Sequence, residues 1–282
     1  MLSRMIAIGT IALLLTACTT APTRIAFEPG MRQTLTEVKV LSILPQDEIV
    51  VRADPVGVAP AMGGGLIGAM IDSKVGEGRQ NTLQETLAPF YAAIDDYDFR
   101  THFEHTLGST LAANPLVKFS PLERSTLPML PKDATARIAK LQAKSGQMMV
   151  HTTYTFTTDF TRLNVTSYVE IKVPGTEAPV FMNTYFYQSR PIGAGGPDSI
   201  KHWSNTKGTV YRTTLDEAAQ EMSRMLQADL AAGATDSPGS ARVSIEKVDG
   251  SRKQIISGAV LASSTSRKII RHSTGQIYSL PL

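Results

Sequence analysis

Cysteine is all but missing from this 282-residue chain, which has one. A disulfide framework needs two thiols per bridge and a cysteine-rich zinc site needs several, so both are excluded. Charge is sparse as well, at 19% of residues, below the quarter or so common in soluble domains. That argues against a solvated disordered chain and against a long coiled coil. The formal net charge of +3 is too small by itself to mark a nucleic-acid binder. Long apolar runs are scarce too. The run Ile6–Leu15 is too short to cross a hydrocarbon core about 30 Å thick, which takes about 20 residues. What the chain does have is a 42% hydrophobic fraction. At this length that is enough for a sizeable core, with one domain and a smaller appendage the expectation.

The place of the single cysteine turns an absence into a signal. Arg4 gives a short positive stretch, Ile6–Leu15 an apolar one, and small residues then lead into Cys18. This is the order of a secretion signal and not of an anchor helix. Leu15-Thr16-Ala17-Cys18 resembles the lipobox of bacterial lipoproteins. The resemblance implies that residues 1–17 are a signal peptide that is removed. It further implies that the Cys18 thiol receives a diacylglycerol and its new amino group a fatty acyl chain such as palmitate. One acyl chain binds a bilayer marginally, whereas two or three hold a soluble domain at its surface. Thr19 stands where the family's inner-membrane retention signal has Asp. The expected address in a two-membrane bacterium is therefore the periplasmic face of the outer membrane, in the cell envelope.

Residues 18–33, rich in Thr, Pro and Gly, read as a tether that needs no fold of its own. Alternation over 36–44, resuming at Ile49-Val50-Val51, predicts a hairpin at 36–52. Helices are predicted around 81–94, at 97–113 with Asp95 or Asp96 as cap, and at 132–144 with Asp133 as cap. In the second of these, Phe99, Phe103, Leu107 and Leu111 recur every four residues. A short strand is predicted at 116–119. The β-branched and aromatic stretches 148–158, 162–173 and 179–190 predict an antiparallel meander with turns at 159–161 and 174–176. Tyr211, Leu215, Ala218, Met222, Met225 and Leu230 place a long amphipathic helix over about 203–232. After the linker 234–241, residues 242–282 read as short strands turning at Asp249-Gly250 and Ser273-Thr274-Gly275. These 41 residues are marginal alone and are expected to lean on the main domain. The element order predicts an α+β (mixed α/β) fold, an antiparallel sheet packed by helices plus a small C-terminal β module. The corresponding units are 18–33, a main domain at 34–233 and the module at 242–282.

Charge is uneven along the chain. Residues 242–282 hold seven Lys or Arg against two acids, whereas 18–241 hold 20 against 23. A basic module on an acidic body suggests an anionic envelope component or a protein as partner, the alternative being solvated charges that guard strand edges.

Few residues fit a reaction. Gly63, Gly65 and Gly68 spell G-x-G-x-x-G, but Pro60-Ala61-Met62 precedes them where a dinucleotide site needs a strand. Ala69-Met70 occupy the places where a phosphate-binding loop needs Lys and Ser/Thr. Gly64 with Gly68, and Gly65 with Ala69, are small residues four apart, which on a helix make a smooth strip for close backbone approach. They are the candidate membrane or subunit contact, within the uncharged stretch 55–71, the alternative being a flexible Gly-rich loop or a buried turn. His102 and His105 are three apart, not the four of a zinc helix with Glu between, so a solvated helix face is expected there and no metal. Asp95, Asp96 and Asp98 lack the rest of a calcium loop. No G-x-S-x-G occurs, and His151 and His202 have no recognisable triad partner. No enzyme and no cofactor is expected. Tyr154, Phe156, Phe160, Tyr168, Phe181, Tyr185, Phe186 and Tyr187 cluster in the meander. If one sheet face is free of helices, they can receive a glycan or a partner; otherwise they are core.

The lipidated start, the Gly-rich segment and the mixed sheet make the mature chain similar to envelope lipoproteins of the curli-secretion and peptidoglycan-synthase-activator α/β type. This resemblance rests on element order. The function expected is a lipid-anchored, non-catalytic binding or assembly factor facing the periplasm. The alternative is an oligomeric pore or secretion-channel subunit, a homo-oligomer that inserts 55–71 in the membrane.

Overall fold

The structure, a computed structural model, describes residues 24–46, 49, 75–232 and 241–282. Its elements run α1 (Pro29–Thr34), β1 (Glu37–Ile43), α2 (Val75–Ile94), α3 (Phe99–Ala112), β2 (Glu123–Ser125), α4 (Pro131–Ala139) and β3 (Ser145–Phe156). There follow β4 (Leu163–Lys172), β5 (Phe181–Gln188), α5 (Gly196–Ala231), β6 (Arg242–Asp249), β7 (Arg252–Ser263), β8 (Arg267–His272) and β9 (Ile277–Pro281). The fold is mixed α+β. Its nine strands form one sheet in the order β2-β1-β3-β4-β5-β9-β8-β7-β6. The meander β3-β4-β5 is antiparallel, as its turn signals predict. Parallel pairs flank it, β1 with β2 and β3 on one side and β5 with β9 on the other.

Side chains alternate across a strand, and that divides the sheet into two cores. Met148, Val150, Tyr154 and Phe156 of β3, Val165, Val169 and Ile171 of β4, and Tyr185 and Tyr187 of β5 face one side. There they meet Phe90 of α2, the Phe99–Phe103–Leu107–Leu111 stripe of α3 and the apolar stripe of α5. Trp203, completely buried, packs on Phe156 and donates its indole N–H to the Phe160 carbonyl at 2.7 Å. On the other side, Phe186 packs with Ile256, Ile270 and Leu280 in a second, smaller core. Here the C-terminal strands curl until β6 returns to β5. The Gln188 amide closes this curl by donating to the Val248 carbonyl at 2.6 Å and accepting from the Val248 N–H at 3.0 Å. The C-terminal strand module thus leans on the main sheet through both backbone and side chain.

Several sequence expectations are corrected by long-range pairing. Of the hairpin expected at 36–52, the second arm lies outside the described residues apart from Ile49, and β1 is held on both edges by parallel neighbours, β2 and β3, instead of by a hairpin partner. The strand expected at 116–119 is a single bridge from Phe119 to Val38, and β2 begins at Glu123. Asp98, not Asp95 or Asp96, caps α3, accepting from the Arg100 N–H at 3.0 Å, since the chain is still turning at Tyr97. Helix α4 starts on Pro131, whose fixed φ suits a first helical position, and Asp133 sits inside its first turn. The stretch 18–33 is built into the fold from residue 24 on. Ile25 exchanges two backbone hydrogen bonds with Met182, and Phe27 is buried against Phe181. One large aromatic in a Thr/Pro/Gly-rich segment is enough to draw it into the core.

Candidate functional site

The sequence-predicted lipidation and contact residues, Cys18, Gly64, Gly65, Gly68 and Ala69, lie outside the described residues, as does all of 55–71. The other candidates are placed. His102 stacks on Tyr97 with ring centroids 4.9 Å apart, and its Nδ1 lies 3.5 Å from Asp216. Glu104, between the two histidines, turns inward and meets Arg124 at 2.7 Å. Burial pushes its carboxyl above the usual range, against the pull of the Ser42 hydroxyl and the Arg124 charge. Of the meander aromatics, Tyr154, Phe156, Phe181, Tyr185 and Tyr187 are core under the helices, and Phe186 is core under the C-terminal strands.

Tyr168 is different. It lies on the face of β4 turned away from the α5 core, half-buried beside His151 of β3, with ring centroids 6.2 Å apart. Its hydroxyl donates to Glu170 Oε2 at 3.2 Å, and Lys172 lies 3.4 Å from the same carboxylate. Burial and the Glu170 charge hold the Tyr168 phenol protonated, while burial lowers the His151 pKa. Around them, Thr153, Thr155, Asn164, Thr166 and Thr184 keep this face polar and at least partly exposed. Hydroxyls, one aromatic ring and one carboxylate on a rigid sheet are equipped to bind by hydrogen bonds and stacking.

A second site was not foreseen. Helix α5 carries Glu217, Glu221 and Asp229 at multiples of four, so that all three face the C-terminal strands. Arg267 Nε meets Glu217 at 2.9 Å, Ser279 donates to Glu221 at 2.7 Å, and Arg271 meets Asp229 at 3.0 Å. Part of the positive charge of 242–282 therefore finds its anions within the chain. Asp229 is fully buried and holds the most contacts. Arg24 approaches its Oδ1 at 2.9 Å, while Tyr185 and Asn183 donate to its Oδ2 at 2.9 and 2.6 Å. Burial, followed by the Asp229 charge, raises the Tyr185 pKa well above the ordinary phenol range. A signal for this cluster was visible. Asp229 stands in the apolar stripe of α5 among Met222, Met225, Leu226 and Leu230, where a lone acid needs a buried partner. The partners, Arg24 and Arg271, are 205 and 42 residues away and leave no local pattern.

Above the Arg24–Asp229–Arg271 cluster opens a cleft of about 360 Å³. Arg24, Arg242 and Arg271 line it with His272, the β8–β9 turn and one acid, Glu28. Gly275 makes this geometry possible. Its φ is +91°, and a Cβ there would stand 2.3 Å from the Arg24 side chain. Among the described residues no group of three or more His, Cys, Asp or Glu side chains could hold a metal ion, and no helix is long and apolar enough to cross a membrane. No protein-family model matches the chain, and a search of curated proteins finds no match.

Proposed function

We propose that this chain is a lipid-anchored lipoprotein of the cell envelope, held by acyl chains on Cys18 at the periplasmic face of the outer membrane. Its folded body acts there as a non-catalytic binding or assembly factor through the polar sheet face around Tyr168. The observation that supports the reading is how early the fold begins. Ile25 is already paired to β5 seven residues after Cys18, so the body would lie within about 25 Å of its anchor. A body held this close to a bilayer has few approach directions, which suits a partner presented in the envelope.

The test has two parts. Labelled fatty acid should enter the wild type and not Cys18→Ala, and the wild type should fractionate with the outer membrane. Equal labelling of both sinks the anchor. A photo-crosslinking residue at Thr153 on the polar face should give a discrete adduct in cells, absent when the probe replaces Thr213 on the exposed side of α5. Identical patterns from both positions sink the binding face. A ring-sized oligomer with ion conductance would replace this reading with that of a pore subunit.

A further inference from the structure

We propose that the cleft at Arg242 binds the phosphate of an anionic lipid headgroup, so that the body is docked as well as tethered to its bilayer. The lipid source rests on the anchoring reading; the recognition of phosphate does not.

The argument begins with the charge on the walls. Three guanidiniums face one carboxylate, Glu28, with Asp229 beneath. Guanidiniums present planar pairs of N–H donors that match a phosphate edge, and they keep their charge at any physiological pH. Arg24 and Arg271 are held in place from below by Asp229, with side chains only 9% and 4% exposed, so this side of the cleft is built before any ligand arrives. Arg242 stands exposed at the rim and makes no ion pair among the described residues. His272 adds an imidazole to the lining. Its Nδ1 is engaged by Thr274, 2.8 Å from the hydroxyl and 3.3 Å from the backbone N–H, which fixes the ring at the cleft wall. A volume of about 360 Å³ lies at the small end of ligand sites and suits a headgroup better than a chain.

Position selects the source. Arg24, a wall of the cleft, is six residues from Cys18, so the opening lies within about 21 Å of the acylated residue. Anionic headgroups at that surface are present at far higher local concentration than any soluble phosphate.

The test uses the mature chain from residue 18 with Cys18→Ser, which keeps every described residue and carries no acyl group. It is sedimented with vesicles of phosphatidylglycerol in phosphatidylcholine, and with phosphatidylcholine alone. Binding to the acidic vesicles is expected to exceed that to neutral ones at least tenfold. One basic side chain near an anionic surface is worth about fivefold in binding, so Arg242→Ala should lose about that factor. Arg252→Ala, at the opposite end of the β6–β7 hairpin, should lose less than twofold, which separates the cleft from diffuse attraction. Equal loss in the two variants, or equal binding to both vesicles, overturns the proposal. Thermal stabilisation by millimolar inorganic phosphate, without preference for acidic vesicles, overturns the lipid assignment in favour of a soluble ligand. Because this chain is not acylated, failure here is distinct from failure of lipid labelling at Cys18.

Discussion

Substituting Asp229 takes away the fully buried carboxylate to which both Arg24 and Arg271 are bonded. Breaking a buried charge pair from one side is costly because the remaining charges stay desolvated. Asp229→Ala should therefore lower unfolding stability by about 3–5 kcal/mol, read as a fall in the urea midpoint at unchanged slope. Asp229→Asn keeps the volume and an acceptor for Tyr185 but not the charge, so it should cost less than Asp229→Ala while remaining clearly destabilising. If the two variants were equal, the charge would carry the whole loss and the shape of the side chain none of it. A loss under about 1 kcal/mol for both would mean that the cluster does not hold the C-terminal strands to α5.

At the scale of elements, the long helix is the informative case. Its α5 stripe is legible in the spacing from Tyr211 to Leu230, but its break is not. Asn205 is extended, and Thr206, Lys207 and Gly208 all take positive φ, which divides α5 into two helical pieces. Arg212 seals the break to the end of α2 by donating to the Lys207 carbonyl at 2.9 Å and the Ala93 carbonyl at 3.1 Å. Gly208 has φ +67°, and a Cβ on it would come within 2.6 Å of Ile94. Gly208→Ala should thus cost about 1–3 kcal/mol by denaturant titration, although alanine is otherwise the better helix former. A gain in stability would show that the break can straighten. The same contrast runs through the fold. The meander and the α3 stripe are set by period, which is local, and could be read from the sequence. The parallel neighbours of β1, the capture of Phe27 and the partners of Asp229 depend on residues far along the chain, and period carries no information about them. Only the oddity of an acid in an apolar stripe pointed to the last of these.

For the whole molecule, the joining of two cores by one sheet has a consequence that alkaline titration can read. Burial raises the phenol pKa of Tyr185 and Tyr187 in the main core and of Tyr278 in the smaller one. In the unfolded chain each would ionise near its ordinary value of about 10. The folded chain therefore holds protons that the unfolded chain gives up. The stability from these phenols is complete below pH 10 and falls as the pH rises above it. Tyr185 and Tyr187 are essentially unexposed, and each contributes a decline of about 1.4 kcal/mol per pH unit above that point. Absorbance of phenolate at 295 nm should accordingly lag behind that of free tyrosine and then rise in one cooperative step, together with the loss of circular dichroism. The two cores should go at once. β9 is bonded to β5, Arg267 to Glu217 and Arg271 to Asp229, so the C-terminal strands cannot leave without stripping the partners from α5. Replacing Tyr278 by Phe tests this, because it should reduce the amplitude of that single step and add no earlier one. An early step that Tyr278→Phe abolishes would instead mean that residues 242–282 open on their own, and that the contacts to α5 are weaker than their burial implies.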